Sequence, residues 1–258
     1  MASGDAATRS AVLKILLGMP DRRAVVRRYI VFSKTLAGWA RDRALESMRA
    51  FGDDLLEPTI ELLSDPDQEV RASAMLVAQS FEDPRIVPAT IGLLKDPDWW
   101  IRITAAETLG RLKDARGVPP LVEALSDPDV NVRHAAATSL GQIGSPLAVP
   151  RLIDALRGEP WLQYPALHAL GEIGDPRATP ALLSLLDDEM LRAPALEALG
   201  RLAGREALAR IAPHLLDPDP ALRNAAIRAV VEIEQRATAS GESLDPEVQA
   251  ALKHEDLV

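Results

Sequence analysis

The sequence predicts an all-α solenoid of about seven stacked helix pairs, and three observations carry that expectation. First, one phrase recurs at a fixed step: DPDQEVRASAMLVAQS from Asp65, DPDWWIRITAAETLGRL from Asp96 and DPDVNVRHAAATSLGQIG from Asp127, each 31 residues after the one before. Worn copies follow from Pro160, Asp188 and Asp217. Second, the apolar residues of each copy return at helical spacing, and a shorter proline-led segment separates one copy from the next. Third, the 47% hydrophobic content of the 258 residues comes almost wholly from Ala, Leu, Val and Ile, with only three Phe, two Tyr and four Trp. That composition suits closely packed helices better than an aromatic-rich sheet sandwich.

Composition also narrows the function classes. Without cysteine there is no disulfide framework, thiolate cluster or thiol nucleophile. The net charge of −9 is unevenly spread: residues 1–50 carry ten Lys/Arg against four Asp/Glu, and residues 51–258 carry nineteen against thirty-four. An acidic body argues against a groove that tracks phosphates, so no nucleic-acid partner is expected. No uncharged apolar stretch approaches the length that spans a bilayer. The run Ala11–Leu17 is interrupted by Lys14 and preceded by Asp5, unlike an export signal. The expectation is a soluble, cytoplasmic chain with no membrane partner.

Residues 1–20 are expected to form an N-terminal capping helix, from about Thr8 to Gly18. Asp21 then suits the N-cap of a helix through Leu36 with Val25, Val26, Tyr29, Ile30 and Phe32 on its apolar side. Arg22, Arg23, Arg27 and Arg28 fall on the other side. They form either a solvated face neutralised by Asp53, Asp54 and Glu57, or a docking patch for an acidic partner. From residue 40 two helices alternate. The longer, here the Arg helix, follows xxVRxxAAxxLG after a polar turn, and its first copy, RDRALESMRAFG from Arg41, lacks the acidic turn. The shorter Pro helix carries Pro88, Pro119, Pro150 or Pro180 near its start, where a missing N–H costs nothing. Asp83, Asp114, Ser145 and Asp175 stand just ahead as turn or cap residues. The solenoid is expected over residues 21–236. Ser240-Gly241 marks a break, and residues 237–258 read as a C-terminal cap, with a short helix from Ser243 to Lys253, and a loose tail.

Within the Arg helix, Val132, Ala136, Leu140 and Ile143 recur at helical period and are expected to face the core. Alanines such as Ala105, Ala106, Ala136 and Ala226 let neighbouring helices approach. Gly110, Gly141, Gly171 and Gly200 follow the leucine near the helix end, where a missing Cβ either tightens packing or helps stop the helix. One helix pair cannot bury its apolar face alone, so stability must come from stacking.

The pattern DPDxxVRxxAAxxLGxIG followed by xxAVPxLIxAL resembles the HEAT-like repeat of the phycobilin-lyase type, over residues 40–236. The resemblance implies a right-handed superhelix, with Pro helices on its convex side and Arg helices lining a concave side. It also implies that Asp65, Asp96 and Asp127 with Arg71, Arg102 and Arg133 form a structural ladder between repeats. The copy from Pro160 departs from the family: Gln163 stands in place of the arginine and one residue is missing, so an irregular turn is expected around Gly158–Pro160. The family includes scaffolds, lyase subunits, hydroxylases and DNA glycosylases. The hydroxylases carry His-Glu dipeptides in several repeats, whereas this chain has only His254-Glu255 in its tail. The glycosylases need a basic groove, which the acidic body does not offer.

If Val132, Ala136, Leu140 and Ile143 face the core, positions 131, 134, 135, 138 and 142 form the opposite stripe. Three of four Trp, one of two Tyr and two of four His fall on or beside that stripe in three successive copies. The candidate partner-binding residues are Trp99, Trp100, Ile103, Glu107, His134, Trp161, Tyr164, His168, Glu172 and Glu197. Large amphipathic side chains at an exposed site mark contact hot spots. Alternatively, Trp99 and Trp161 fold over helix ends and cover apolar surface. His168 and Glu172, four apart, could pair as base and orienter, and His134 with His168 could begin a metal site, but neither arrangement has a fixed third group. No phosphate loop or nucleophile elbow is recognisable. The expected function is a non-enzymatic scaffold without cofactor or metal, capturing a protein or peptide segment, with the glutamates favouring a basic one. The alternative, implied by the resemblance, is a lyase-type subunit or chaperone for a tetrapyrrole such as a phycobilin.

Overall fold

The computed structural model describes residues 15, 18–33, 35, 36, 38, 39, 48 and 54–239. The expected capping helix before Gly18, the first Arg-helix copy at Arg41 and the helix after Ser243 lie outside these. The described residues hold thirteen α-helices and no strand, an all-α solenoid in class. The chain divides into two compact units, Met1–Pro120 and Leu121–Val258. Unit one holds α1 (Arg22–Ser33), α2 (Leu56–Leu62), α3 (Gln68–Ala78), α4 (Val87–Leu93) and α5 (Trp99–Leu112). The boundary falls inside α6 (Val118–Ala124). Unit two holds α7 (Val130–Ile143), α8 (Val149–Ala155), α9 (Pro160–Ile173), α10 (Thr179–Ser184), α11 (Arg192–Leu202), α12 (Leu208–Ile211) and α13 (Pro220–Ala239).

The Arg helices are α3, α5, α7, α9, α11 and α13. In unit one α3 packs on α1, α2 and α5; in unit two α7, α9, α11 and α13 pack each on the next, with α8, α10 and α12 each against the Arg helix that follows. The apolar stripe is buried as expected at Val132, Ala136 and Leu140, and likewise at Ile101, Ala105 and Leu109, at Ala166 and Leu170, and at Leu196 and Leu199. In α1, Val26 and Ile30 are buried, but Phe32 is half exposed and the helix stops at Ser33 rather than Leu36. There the Ser33 hydroxyl turns back to donate to the Ile30 carbonyl at 2.6 Å.

The DPD turn does two jobs with two carboxylates. The second aspartate caps its own helix: Asp67 accepts from the Glu69 N–H, Asp98 from Trp100 and Ile101, Asp129 from Asn131 and Val132. The first closes the turn, Asp65, Asp96 and Asp127 accepting from the N–H two residues on at 2.8–2.9 Å. The arginine six residues later donates back to that turn. Arg71, Arg102, Arg133 and Arg223 each reach the carbonyl of the first aspartate of their own phrase at 2.7–2.9 Å. Arg71 also grips the next copy, Nε to Asp96 Oδ2 at 2.6 Å and Nη2 to Oδ1 at 3.1 Å. Those hydrogen bonds hold the guanidinium above its usual pKa. The ladder thus links copies, as the family resemblance implied.

Where the copies wear down, substitutes appear. Glu159 receives Arg133 at 2.5 Å, and Gln163, in the arginine's place, donates to the Leu156 carbonyl at 3.0 Å. The break expected here is a short non-helical step at Gly158 and Glu159.

A second stitch runs along the Pro helices. Each opens with a 3₁₀ turn, and in three of them the capping aspartate is followed two residues later by arginine: Asp83–Arg85, Asp114–Arg116, Asp175–Arg177. The carboxylate takes the arginine's N–H and its guanidinium, which together hold the acid below the usual carboxylate range. The same guanidinium then donates to a carbonyl one copy earlier, Arg116 to Pro84 at 2.9 Å and Arg177 to Pro146 at 3.0 Å. Ser145 and Leu147 replace the pair in the turn between Asp114–Arg116 and Asp175–Arg177, and Leu147 is exposed.

Helices α5, α7 and α9 end on residues with left-handed backbone: Lys113, Gly144 and Gly174. Of the earlier glycines, offered by the sequence as either stops or packing sites, Gly141, Gly171 and Gly200 are packing sites. A Cβ on Gly141 would stand 2.9 Å from Cα of Ala169, and one on Gly200 2.9 Å from Cα of Ala229. Those contacts involve backbone, which cannot yield as a side-chain tip can. Gly141→Ala is therefore expected to destabilise by about 1–3 kcal/mol despite better helix propensity. Gly92→Ala, with nothing within 4 Å, should stabilise by about 0.5–1 kcal/mol. Urea unfolding of the two variants checks the pair, and equal signs would show that the close approach is not rigid.

Candidate functional site

In unit two the contacts Gly141–Ala169, Gly171–Ala198 and Gly200–Ala229 fix the register of four consecutive Arg helices. Equivalent side chains on their free faces therefore run in rows. The two rows toward the helix N-termini hold Trp161 of α9 and Met190 of the turn ahead of α11, then Tyr164 of α9 and Ala193 of α11. Trp161 is 76% exposed, Met190 84% and Tyr164 57%. His134 stands on α7 at the position of Tyr164 on α9, also exposed. The rows toward the C-termini carry charge and pair across helices: Arg228 meets Glu197 at 3.2 Å. Tyr164, His168, Pro194, Glu197 and Arg201 share one shallow niche.

The face is narrower than the sequence pattern suggested. Position 135, counted there as groove, is buried in five of the six described copies, at Ser73, Thr104, Ala135, Pro165 and Ala225, and half-buried at Pro194. The reason is packing on both flanks. α9, for example, lies between α7 and α11, so only a thin sector stays open. Among the candidates, Trp161, Tyr164, His168, Glu172, Glu197 and His134 all lie exposed in unit two. Trp99, Trp100, Ile103 and Glu107 lie on α5 in unit one. Both indoles there are solvent-exposed, Ile103 is half-buried and Glu107 is exposed. Ala72 and Leu76, half-buried on α3, hold the corresponding positions beside Ile103 and Glu107. The sequence pattern missed Arg201, which carries a charge into the niche at a stripe position read only on other copies.

His168 Nδ1 stands 3.9 Å from Glu172 Oε1, too far for the hydrogen bond a base and its orienter need. Among the described residues no three His, Cys, Asp or Glu gather as metal ligands. No helix among them is long and apolar enough to cross a membrane. Of the basic patch on α1, Arg27 is engaged by Glu61 at 3.9 Å and by Asp65 at 3.8 Å. Arg27, Arg28, Phe32, Asp65 and Val70 line a cleft of about 650 Å³ in unit one.

Those repeated, laddered helix pairs match the family pattern for HEAT repeats at residues 56–129, 91–162 and 118–190, together more than half of the chain. The chain belongs to the HEAT-repeat family. None of the curated proteins matches it. Among solved structures, it resembles the CpcE–CpcF complex of phycocyanin lyase from Nostoc sp. PCC7120, at 22% identity and a TM-score of 0.51. That match covers 78% of this chain and 94% of the other. An engineered protein matches at 21% identity and a TM-score of 0.57, covering 89% of this chain and 69% of its own. Kap121p matches at 14% identity and a TM-score of 0.63, over 87% of this chain but only 30% of that longer one. At these identities the likeness is one of fold. The HEAT repeats of this chain make it a helical repeat scaffold in architecture.

Proposed function

We propose that this HEAT-repeat chain is a non-enzymatic scaffold that captures a segment of a partner protein on the free faces of its Arg helices. The observation that carries this is the exposure of Trp161 and Tyr164 on α9 together with Met190 in the turn leading into α11, two packed helices of unit two. Solvent-exposed indole, phenol and thioether side chains on a rigid face bring large contact area at little entropic cost. On α5 of unit one, Trp100, Ile103 and Glu107 offer a second, smaller patch of the same kind.

The test is selection of peptides from a display library on the full chain, followed by measurement on Trp161→Ala/Tyr164→Ala. Selected peptides should lose about tenfold or more in affinity, while the melting temperature moves by no more than about 2 °C. Unchanged affinity would sink the proposal. A large fall in melting temperature would show that the rings cover neighbouring apolar surface instead. A bilin is the competing occupant, suggested by the likeness to CpcE–CpcF. Saturable change in biliverdin absorbance, lost in the same double variant and without peptide binding, would replace the scaffold reading with that one.

A further inference from the structure

The chemistry of the captured segment can be narrowed further, on the basis of the scaffold reading above. Residues 121–258 carry twelve Lys/Arg against twenty-one Asp/Glu, so unit two holds a net −9 while residues 1–120 are neutral overall. The niche between α9 and α11 places the Tyr164 ring, Leu167 and Pro194 beside the Glu197 carboxylate. We propose that the partner segment is basic, and that it inserts an arginine guanidinium between Tyr164 and Glu197, displacing Arg228 from that carboxylate.

Three features support the exchange. A guanidinium is flat enough to lie on the phenol ring while its N–H fork meets a carboxylate, which an ammonium cannot do. The resident pair is easily opened: Arg228 Nη2 and Glu197 Oε1 make one contact at 3.2 Å, and both side chains are about half exposed, at 58% and 49%. The α9 backbone also has one carbonyl without its usual donor. Pro165 has no N–H to give the Trp161 carbonyl four residues earlier, so that oxygen lacks its ordinary helical donor. Two nitrogen-bearing side chains already share the niche. His168 leans toward Glu172 at 3.9 Å, and Arg201 lies on the C-terminal side of Glu197, so the approach from Tyr164 is the one open to an incoming cation.

The probe is N-acetyl-arginine amide, with its uncharged isostere N-acetyl-citrulline amide as control, titrated into the full chain and followed by backbone amide NMR. Saturable shifts at Glu197 and Ala198 are expected with the arginine compound and not with the citrulline one. Arg228→Ala should lower the midpoint concentration about threefold by freeing the carboxylate, and Glu197→Gln should raise it about tenfold. Both side chains are exposed, so both variants keep the spectrum of the folded chain. Equal shifts with citrulline, or a midpoint that Arg228→Ala leaves unchanged or raises, would overturn the exchange. Display peptides that bind through Trp161 and Tyr164 but lack arginine would leave the scaffold standing and remove this inference alone.

Discussion

Arg71→Ala is expected to lower the unfolding free energy by about 3–5 kcal/mol, read as a shift of the urea midpoint at unchanged slope. The guanidinium is nearly buried, with 13% of its side chain exposed, and the Asp96 carboxylate it grips has 3% exposed. Removing the cation leaves that acid in a poorly hydrated turn, where its remaining contact with the Asp98 N–H cannot replace a bidentate partner. It also frees the Asp65 and Pro66 carbonyls that Arg71 satisfies. Adding Asp96→Asn to the variant should restore part of the loss, because the amide oxygen still closes the turn without burying charge. Arg85→Ala, which breaks an exposed pair, should shift the urea midpoint far less. If Arg71→Ala were equally mild, the ladder would be surface decoration.

Arg205→Ala should be comparably severe in unit two, again about 3–5 kcal/mol. Arg205 opens the last Pro-helix turn and donates through Nε and Nη2 to both oxygens of Glu234, at 2.9 and 2.7 Å. Glu234 is 3% exposed and sits on α13, so the pair clamps two elements 29 residues apart. Two residues on, Arg236 of α13 donates to the Gly200 and Ala203 carbonyls at the end of α11. The decisive comparison is with Arg205→Met/Glu234→Leu, which removes both charges and should recover most of the stability. A double variant as unstable as the single one would mean that the clamp's shape, rather than its charge, matters.

The period of the DPD phrase was enough to locate the Arg helices, because it coincides with a change from polar turn to helical spacing. Asp67, Asp98 and Asp129 cap as their position before an apolar run implies. The open faces were harder. A stripe drawn opposite Val132 and Leu140 includes Ala135 and Pro165, and only the presence of a helix on each flank reveals that they are buried. The Asp-x-Arg stitch was present in the sequence at Asp83, Asp114 and Asp175 but looked like ordinary turn chemistry. Its reach to Pro84 and Pro146, one copy earlier, is a tertiary fact. For the glycines, periodicity alone does not distinguish a stop at Gly144 from a contact at Gly141. Trp161 and Tyr164 were picked out by residue type and register, and their exposure is what makes them worth testing.

The side-chain stitches described above join residues 25 to 36 apart: Arg71 to Asp96, Arg205 to Glu234, Arg177 to Pro146, Arg236 to Gly200. Each closes a short loop of nearly the same size, so no step in assembly waits for a costly long-distance encounter. Under tension such a chain would release its repeats one after another instead of rupturing at once. A whole extra helix pair could be spliced in without any bond having to measure the total length.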